Sequence, residues 1–315
     1  MKGRVSRGSE NLDEKKPGTA EDVKKKKAGG CLGSLAVLLV VLALTVAAVG
    51  SVLGAAYVWS VSRTLPTAEE MVKHRPSLAT TVYDRNGKVI TSLYYENRQW
   101  VKLDAISKTM VRAILAAEDD EFFEHRGIKP TAILRAFIKD VMHQATRQGG
   151  STITQQLARN LFLTRERTIA RKVKEAILAV RMERTFSKDQ ILEMYLNTIY
   201  FGHGTYGVEA ASRAYFGKTP AQLGLPESAV LAGLVAAPEY YTPIRHLDRA
   251  KVRQSYVLGR MVAKGWITQE EAAKAKAAAL PLKKVKTTSV TFSDAPYFTS
   301  YILFNHLLPS YGSDA

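Results

Sequence analysis

Between Lys27 and Arg63 the chain carries no Asp, Glu, Lys or Arg. Leu35 to Val49 is almost wholly Leu, Val and Ala, and the apolar character continues to Trp59. A helix needs ~20 such residues to cross a bilayer, so the pattern predicts one transmembrane helix over residues 31–61. Tyr57 and Trp59 at its far end suit a membrane interface. A cleaved signal peptide is the competing reading, but its apolar core would be only ~7–15 residues long. Further on the pattern alternates. Thr80, Thr81, Val82 and Tyr83 give way to Asp84-Arg85-Asn86-Gly87, then Val89, Ile90, Thr91, Leu93 and Tyr94. Asn-Gly between β-branched runs predicts a hairpin over residues 79–95. From Leu103 the period becomes helical: Ile106, Met110, Ala113, Ile114 and Ala117, then Ile169, Val173, Ala176, Ile177 and Val180, then Ile191, Leu192, Tyr195 and Leu196. Glu227 to Leu234 and Ala250 to Val262 continue it. Asp189 and Pro226 suit helix starts.

Charge orients this layout. The 315 residues include 45 Lys plus Arg against 29 Asp plus Glu, a net charge of +16. That balance favours an anionic partner: nucleic acid, an acidic membrane surface or a phosphorylated substrate. Lys2, Arg4, Arg7, Lys15, Lys16 and Lys24 to Lys27 precede the apolar run, and only Arg63 follows it before Glu69 and Glu70. The positive-inside bias then puts the N-terminus in the cytoplasm and the rest outside, as a single-pass protein of the inner or plasma membrane. An exported domain is a poor reader of nucleic acid. Anionic lipid or a lipid-linked phosphate is the better match. The lone Cys31 excludes an internal disulfide and a Cys-based zinc site, and the six histidines contain no HExxH. The expected organisation is a basic tail (1–30), the transmembrane helix (31–61), a β-rich segment (62–102), a helical domain (103–280) and a linker-like segment (281–315).

Candidate chemistry lies in four stretches. Glu118-Asp119-Asp120-Glu121 closes an apolar helix and runs into Phe122-Phe123-Glu124-His125-Arg126-Gly127. Burial of the first acid beside Ala116, Ala117 and Phe122 would raise its pKa and make it a proton acceptor. An acidic helix end exposed to water fits the pattern at least as well. Gly149-Gly150-Ser151-Thr152 frees the backbone and offers a cap for a helix bearing Gln155, Gln156 and Arg159. Such an N-terminus can take an anion, although the stretch lacks the Lys-Ser/Thr ending of a Walker loop; an ordinary loop and cap is the alternative, and two adjacent glutamines and an arginine on the same helix tilt the reading toward function. Arg165, Arg167, Arg171, Lys172, Lys174 and Arg181 crowd Glu166 and Glu175. These are either solvated helix salt bridges or cations that bind a pyrophosphate and orient a carboxylate. A helix-turn-helix is a third reading, weakened by the membrane span. Gly202, Gly204 and Gly207 form a lone GxGxxG with no preceding parallel strand, so a sharp packed turn is favoured over a dinucleotide site.

In this order, EDDEFFEHRG (118–127), GGSTITQQLARN (149–160), RKVKE (171–175), ILEMYLNTIYFGHGTYGVEAASRAYFG (191–217) and ESAVLAGLVAAPEYYTP (227–243) resemble the peptidoglycan glycosyltransferase domain, glycosyltransferase family 51. That domain occurs in class A penicillin-binding proteins and monofunctional transglycosylases. The resemblance runs from about Val82 to Met261. It implies a mainly α fold, with a lysozyme-like helical catalytic lobe and a small membrane-facing lobe. Here the transmembrane helix and a short β-hairpin region come first. It also implies polymerisation of lipid II into glycan strands, with inversion at the anomeric carbon and release of undecaprenyl pyrophosphate. By motif position Glu118 is implied as the general base. Glu175 is implied as a second acid, assisting the leaving group directly or through a divalent cation (Mg or Mn). No organic cofactor is expected. Ser151, Thr152, Gln156, Arg159, Arg167 and Lys172 would hold the pyrophosphate and sugars. Asp119, Phe122 and His125 would shape the first motif around Glu118.

Ile133, Leu134, Phe137, Ile138, Val141 and Met142, interleaved with Lys129, Arg135, Lys139 and Arg147, have the composition of an interfacial helix; an amphipathic core helix is the alternative. Two departures from the family stand out. Lys129 occupies a position where the family usually shows Asp. Arg159 replaces the more usual Lys, a fork in place of a point charge. Ala295-Pro296-Tyr297-Phe298 resembles the start of a linker into a transpeptidase domain, yet no Ser-x-x-Lys occurs, so no penicillin-reactive serine is indicated. The chain is expected to be a fragment of a two-domain protein or a glycosyltransferase-only form. Expected partners are lipid II, the growing lipid-linked glycan, membrane lipid and cell-wall synthesis proteins, and not nucleic acid. Two other readings compete. A lysozyme-like glycan cleaver also uses acids but would not need Arg159, Arg167 or Lys172. A non-catalytic basic membrane scaffold would not need Glu118.

Overall fold

The uncharged stretch folds as one helix, α1, over Ala20–Ser62. It starts earlier than residue 31 because residues 20–27 are mostly Ala, Glu, Asp and Lys, three of which are good helix formers. Its apolar part, Val37–Ser62, has 26 residues and a mean hydropathy of 2.6, and none of it is buried within the chain. At ~1.5 Å per residue this helix is long and apolar enough to cross a membrane. Trp59 is capped by the Arg63 guanidinium, 4.4 Å from the ring centroid.

The structure is a computed structural model describing residues 20–74, 80–83, 85–87, 89–93, 97–129, 150–164, 166, 168–283, 301, 305–306 and 308–311. The tail before residue 20, the interfacial segment 130–147, Arg165, Arg167 and the stretches 285–292 and 295–298 lie outside these residues. Residues 1–63 and 64–315 form two compact units; everything below concerns the second.

The second unit is mainly helical, as the periodicity predicts. Short α2 (Ala68–Lys73) is closed by a capping box between Thr67 and Glu70. The expected hairpin pairs β1 (Thr80–Tyr83) with β2 (Val89–Leu93) antiparallel, Thr80 opposite Leu93. Next come β3 (Asn97–Arg98), a 3-10 turn at Leu103–Ala105 and α3 (Lys108–Glu118), which Ser107 caps through the Met110 N–H. After the second motif follow α4 (Ile153–Phe162), α5 (Ile169–Thr185) and α6 (Lys188–Thr198). A tight hairpin, β4 (Tyr200–Gly202) and β5 (Thr205–Tyr206), leads to α7 (Val208–Phe216). The chain continues through α8 (Leu225–Leu234), α9 (Pro238–Tyr241), α10 (Leu247–Ala263), α11 (Gln269–Ala277) and α12 (Leu308–Tyr311).

Helix α8 is the centre of one half. Glu227 to Leu234 are all buried, so the helix is enclosed on every side. It packs between α3 and α10. In the other half α4 packs on α5 and α6. Met110, Ile114, Leu157, Leu178, Met182, Ile191 and Tyr195 lose essentially all solvent contact; each apolar side chain so buried contributes about 1.5–3 kcal/mol.

The glycines of the GxGxxG stretch serve a turn, as expected. Gly207 has φ +83° and caps α7, and a Cβ there would stand 2.8 Å from the Asn197 carbonyl oxygen. Only glycine fits both demands. Unexpectedly, β3 joins β5 in parallel, Asn97 opposite Thr205. Side chains of α6 secure that join. Asn197 exchanges two hydrogen bonds of 2.8 Å with the Val101 backbone, and Glu193 accepts from Trp100 Nε1 and the Leu103 N–H.

Candidate active site

The four consecutive acids have four different environments. Helix α3 ends at Glu118, and the next residue turns away with φ −161°. Glu118 keeps a partial opening to solvent, while the Asp119 side chain is fully enclosed. Asp120 stands 3.0 Å from Arg260, 2.9 Å from Lys264 and 3.7 Å from Lys129. Glu121 is exposed and lies 3.3 Å from Lys129. The simple picture of an acidic end in water holds only for Glu121. Cations from distant segments relieve the repulsion.

Asp119 ties the first motif to the second. Its Oδ2 accepts from the Ile153 N–H at the start of α4 and from His125 Nε2, both at 2.9 Å. The Gly127 N–H donates to His125 Nδ1 at 3.1 Å, so Nε2 carries the proton that faces Asp119. Lys129 Nζ lies 2.7 Å from Oδ1. Lys129, where the resemblance led us to expect Asp, is thus the cation that compensates three of the four acids. Burial pushes the Asp119 carboxyl up, but the bonds from His125, Lys129 and Ile153 outweigh it and hold the group below the usual carboxylate range.

Phe122 is buried beneath this motif. Lys188 Nζ sits 4.4 Å over its ring and donates to the His125 carbonyl at 2.6 Å. Thr152 caps α4 through the Gln155 N–H and donates its hydroxyl to the Gly127 carbonyl at 2.6 Å. Asp119, Phe122, His125 and Thr152 therefore form one structural joint behind Glu118. Thr152 spends its hydroxyl within the protein.

Glu118 accepts from Gln156 Nε2 at 2.8 Å, and Gln156 Oε1 accepts from the Tyr195 hydroxyl at 3.2 Å. Burial pushes the Glu118 carboxyl up. The Gln156 hydrogen bond and the charges of Arg253 and Arg159 oppose this, and the net direction remains upward. A partly accessible carboxylate with a raised pKa is suited to accept a proton. Arg253 and Tyr195 were not singled out in the sequence. Tyr195 was legible only as an apolar-face residue, and Arg253 only as one cation of a helix.

Glu175 resolves the second ambiguity. It has no solvent exposure, so its pairs are not solvated surface bridges. Arg171 Nη1 bonds Oε1, and Lys172 Nζ lies 2.7 Å from Oε2. Lys172 also donates to Ser151 Oγ at 2.8 Å, joining the second motif to the third. Burial, then the charges of Arg159 and Arg171, holds Lys172 below the usual lysine range. Arg159 acts on both Glu118 and Lys172. Half of the Lys172 side chain stays exposed, leaving this cation accessible to an anion.

A divalent ion does not fit Glu175 as arranged. Both carboxylate oxygens face cations, and a third positive charge would meet Arg171 and Lys172 directly. Among the described residues no group of three or more His, Cys, Asp or Glu side chains is placed to hold a metal ion. An open groove of ≈ 750 Å³ lined by Leu103, Val111, Phe123, Glu193 and Trp266, among others, contains none of the candidate site residues.

Comparison with known proteins matches residues 86–262 to the transglycosylase family. Penicillin-binding protein 1F of Bacillus subtilis is 45% identical over 71% of this chain and 31% of its own length. Penicillin-binding proteins 1A of Aquifex aeolicus and Escherichia coli are 44% and 42% identical, over 80% and 76% of this chain and 34% and 28% of theirs. The chain thus spans about a third of the length of these relatives. A 2.6 Å crystal structure of penicillin-binding protein 1A from Haemophilus influenzae aligns with a TM-score of 0.44 and 24% identity, over 76% of this chain and 26% of that one.

Proposed function

The chain belongs to the transglycosylase family, and from that premise we propose that it is a membrane-anchored peptidoglycan glycosyltransferase that polymerises lipid II. Glu118 takes the proton from the 4-hydroxyl of the acceptor sugar. The freed oxygen attacks the anomeric carbon of the lipid-linked donor from the side opposite the diphosphate. As that C–O bond forms, the bond to the diphosphate breaks, and its electron pair leaves with undecaprenyl pyrophosphate. The anomeric carbon is inverted and the strand gains one disaccharide.

The departing diphosphate gathers negative charge. Fixed cations are worth most where that charge develops, in a site poor in water. Lys172, Arg159 and Arg167 supply the positive charge, Ser151 adds a hydroxyl, and Gln156 orients the base. Glu175 holds Arg171 and Lys172 in place. Thr152, Asp119, Phe122 and His125 support the motif from behind. Helix α1 anchors the domain, with the N-terminus in the cytoplasm and the site outside.

The observation that carries this reading is the N-terminal end of α4: Gln156 on that helix donates to Glu118 at 2.8 Å, and Ser151, just before it, accepts from Lys172 at 2.8 Å. A base and an anion-gripping lysine thereby meet at one helix end. A glycan cleaver leaves Lys172 without a task. The test is to give the purified full chain lipid II in detergent. Wild type should form glycan polymer, and Glu118→Gln should form none while melting at the wild-type temperature. Polymer from Glu118→Gln at the wild-type rate would remove Glu118 as the base.

A further inference from the structure

Helix α6 works through two faces. Glu193 and Asn197, one turn apart, secure the join of β3 to β5. Tyr195, midway between them in sequence, leaves the other side of the helix and reaches Gln156 on α4, against which α6 packs. Its side chain has no solvent exposure, and it has no role in the scheme above. Ile191 and Leu192, one turn earlier, are buried as well and carry no polar atom. A hydroxyl among such residues needs a reason, because phenylalanine would fill the same ring space.

The hydrogen bonds that start at this hydroxyl have one direction. A carboxylate only accepts, so the edge of the Gln156 amide that faces Glu118 Oε2 at 2.8 Å is its NH2 group. The amide carbonyl is then turned inward, and the Tyr195 hydroxyl donates to its Oε1 at 3.2 Å. Reversing the amide would set two oxygens face to face at Glu118. It would also strand the phenol proton in a place without solvent. Burial, with the Glu118 charge added, holds the phenol well above its ordinary range, so it keeps this proton wherever the enzyme works. An amide that accepts at its carbonyl also donates more strongly at its nitrogen. Gln156 and Glu118 both keep a partial opening to solvent, so a Gln156 side chain released from behind has room to swing away from the carboxylate.

We propose that Tyr195 is a positioning residue for the base: its buried hydroxyl fixes which way the Gln156 amide faces, and the amide holds the Glu118 carboxylate in place to take the sugar's proton. This rests on the reading of Glu118 as the base. Tyr195 acts only through Gln156. It meets neither sugar nor diphosphate, and its removal leaves Lys172 and Ser151 joined as before.

The test is a double-mutant cycle on lipid II polymerisation by the full chain in detergent at one neutral pH. Tyr195→Phe should lower kcat by about threefold to tenfold and leave KM within about twofold, because one hydrogen bond behind the base is lost and no substrate contact is touched. Gln156→Leu should lower kcat at least as far and keep measurable turnover. With Gln156→Leu already in place, adding Tyr195→Phe should cost less than about twofold more, since the amide it holds is gone. If Tyr195→Phe does not fold, the cycle is run with Tyr195→Met, which fills the space without a hydroxyl. A role in packing alone predicts the same fold loss in both backgrounds, and that result overturns the proposal. So does an unchanged kcat in Tyr195→Phe, a loss seen only in KM, or a Gln156→Leu with no turnover, which would give Gln156 more than a positioning task. Polymerisation by Glu118→Gln would instead sink the base assignment itself. An inactive Glu118→Gln with equal losses in the two backgrounds sinks only the role of Tyr195.

Discussion

Replacing Asp119 by Ala removes the acceptor on which the first and second motifs converge. The Ile153 N–H and His125 Nε2, both 2.9 Å from Oδ2, lose their partner in a site without solvent. Each buried donor left unsatisfied costs about 1–3 kcal/mol. Lys129 loses its 2.7 Å contact but keeps Glu121 at 3.3 Å and Asp120 at 3.7 Å, so its charge is not stranded. The total should therefore fall near the low end of the cost of breaking a buried ion pair, about 3–4 kcal/mol. For a domain of this size that lowers the melting temperature by about 6–16 °C. Far-UV circular dichroism of the two proteins at neutral pH measures it. The sign with pH is fixed as well. The Asp119 carboxyl is held below its ordinary value, so its stabilisation is complete above about pH 4 and is lost as pH falls through the lowered folded value. The gap between the proteins should close on acidification. A neutral-pH difference under about 2 °C would refute the reasoning, because the buried joint would then contribute nothing.

Gly207→Ala should cost about 2–4 kcal/mol, since it combines a φ of +83° with a Cβ 2.8 Å from the Asn197 carbonyl oxygen; thermal unfolding reads it. Gln156→Leu deletes a hydrogen bond that holds Glu118 toward ionisation, so the acidic limb of polymerisation should move to higher pH. Lys172→Ala should raise KM for lipid II by about tenfold or more and weaken the salt dependence of binding, because it removes the exposed cation that we propose grips the diphosphate.

The helices were legible because their apolar positions recur with a helical period. Ile114, Leu157, Leu178, Ile191 and Tyr195 all fall on buried faces. The Asn-Gly turn fixed the hairpin in the same local way. Pairings between distant segments were not legible. The parallel join of β3 to β5 depends on Asn197 and Glu193 of α6, and no periodicity announces it. Helix α1 extends ahead of the apolar run because charged residues break the apolar pattern while keeping helix propensity. The same division runs through the site. Local spacing showed Glu175 within reach of Arg171 and Lys172, but only the fold shows that Glu175 is buried. The acidic run at 118–121 gave no sign of which carboxylate is enclosed, because that is decided by Lys129, Arg260, Lys264 and the α4 N-terminus. Arg253 carried no signal at all. A cation on an amphipathic helix looks solvated until its neighbours, here Gly233 and Tyr256, are known.

The division of labour between Glu118 and the cations is best tested by measuring binding and turnover of lipid II on the same variant. Glu118→Gln should bind lipid II within about threefold of wild type while forming no polymer, since it loses the proposed proton acceptor but keeps Lys172, Arg159 and Ser151, the groups we assign to the diphosphate. A variant that polymerises normally, or one whose silence is fully explained by lost binding, would contradict the account.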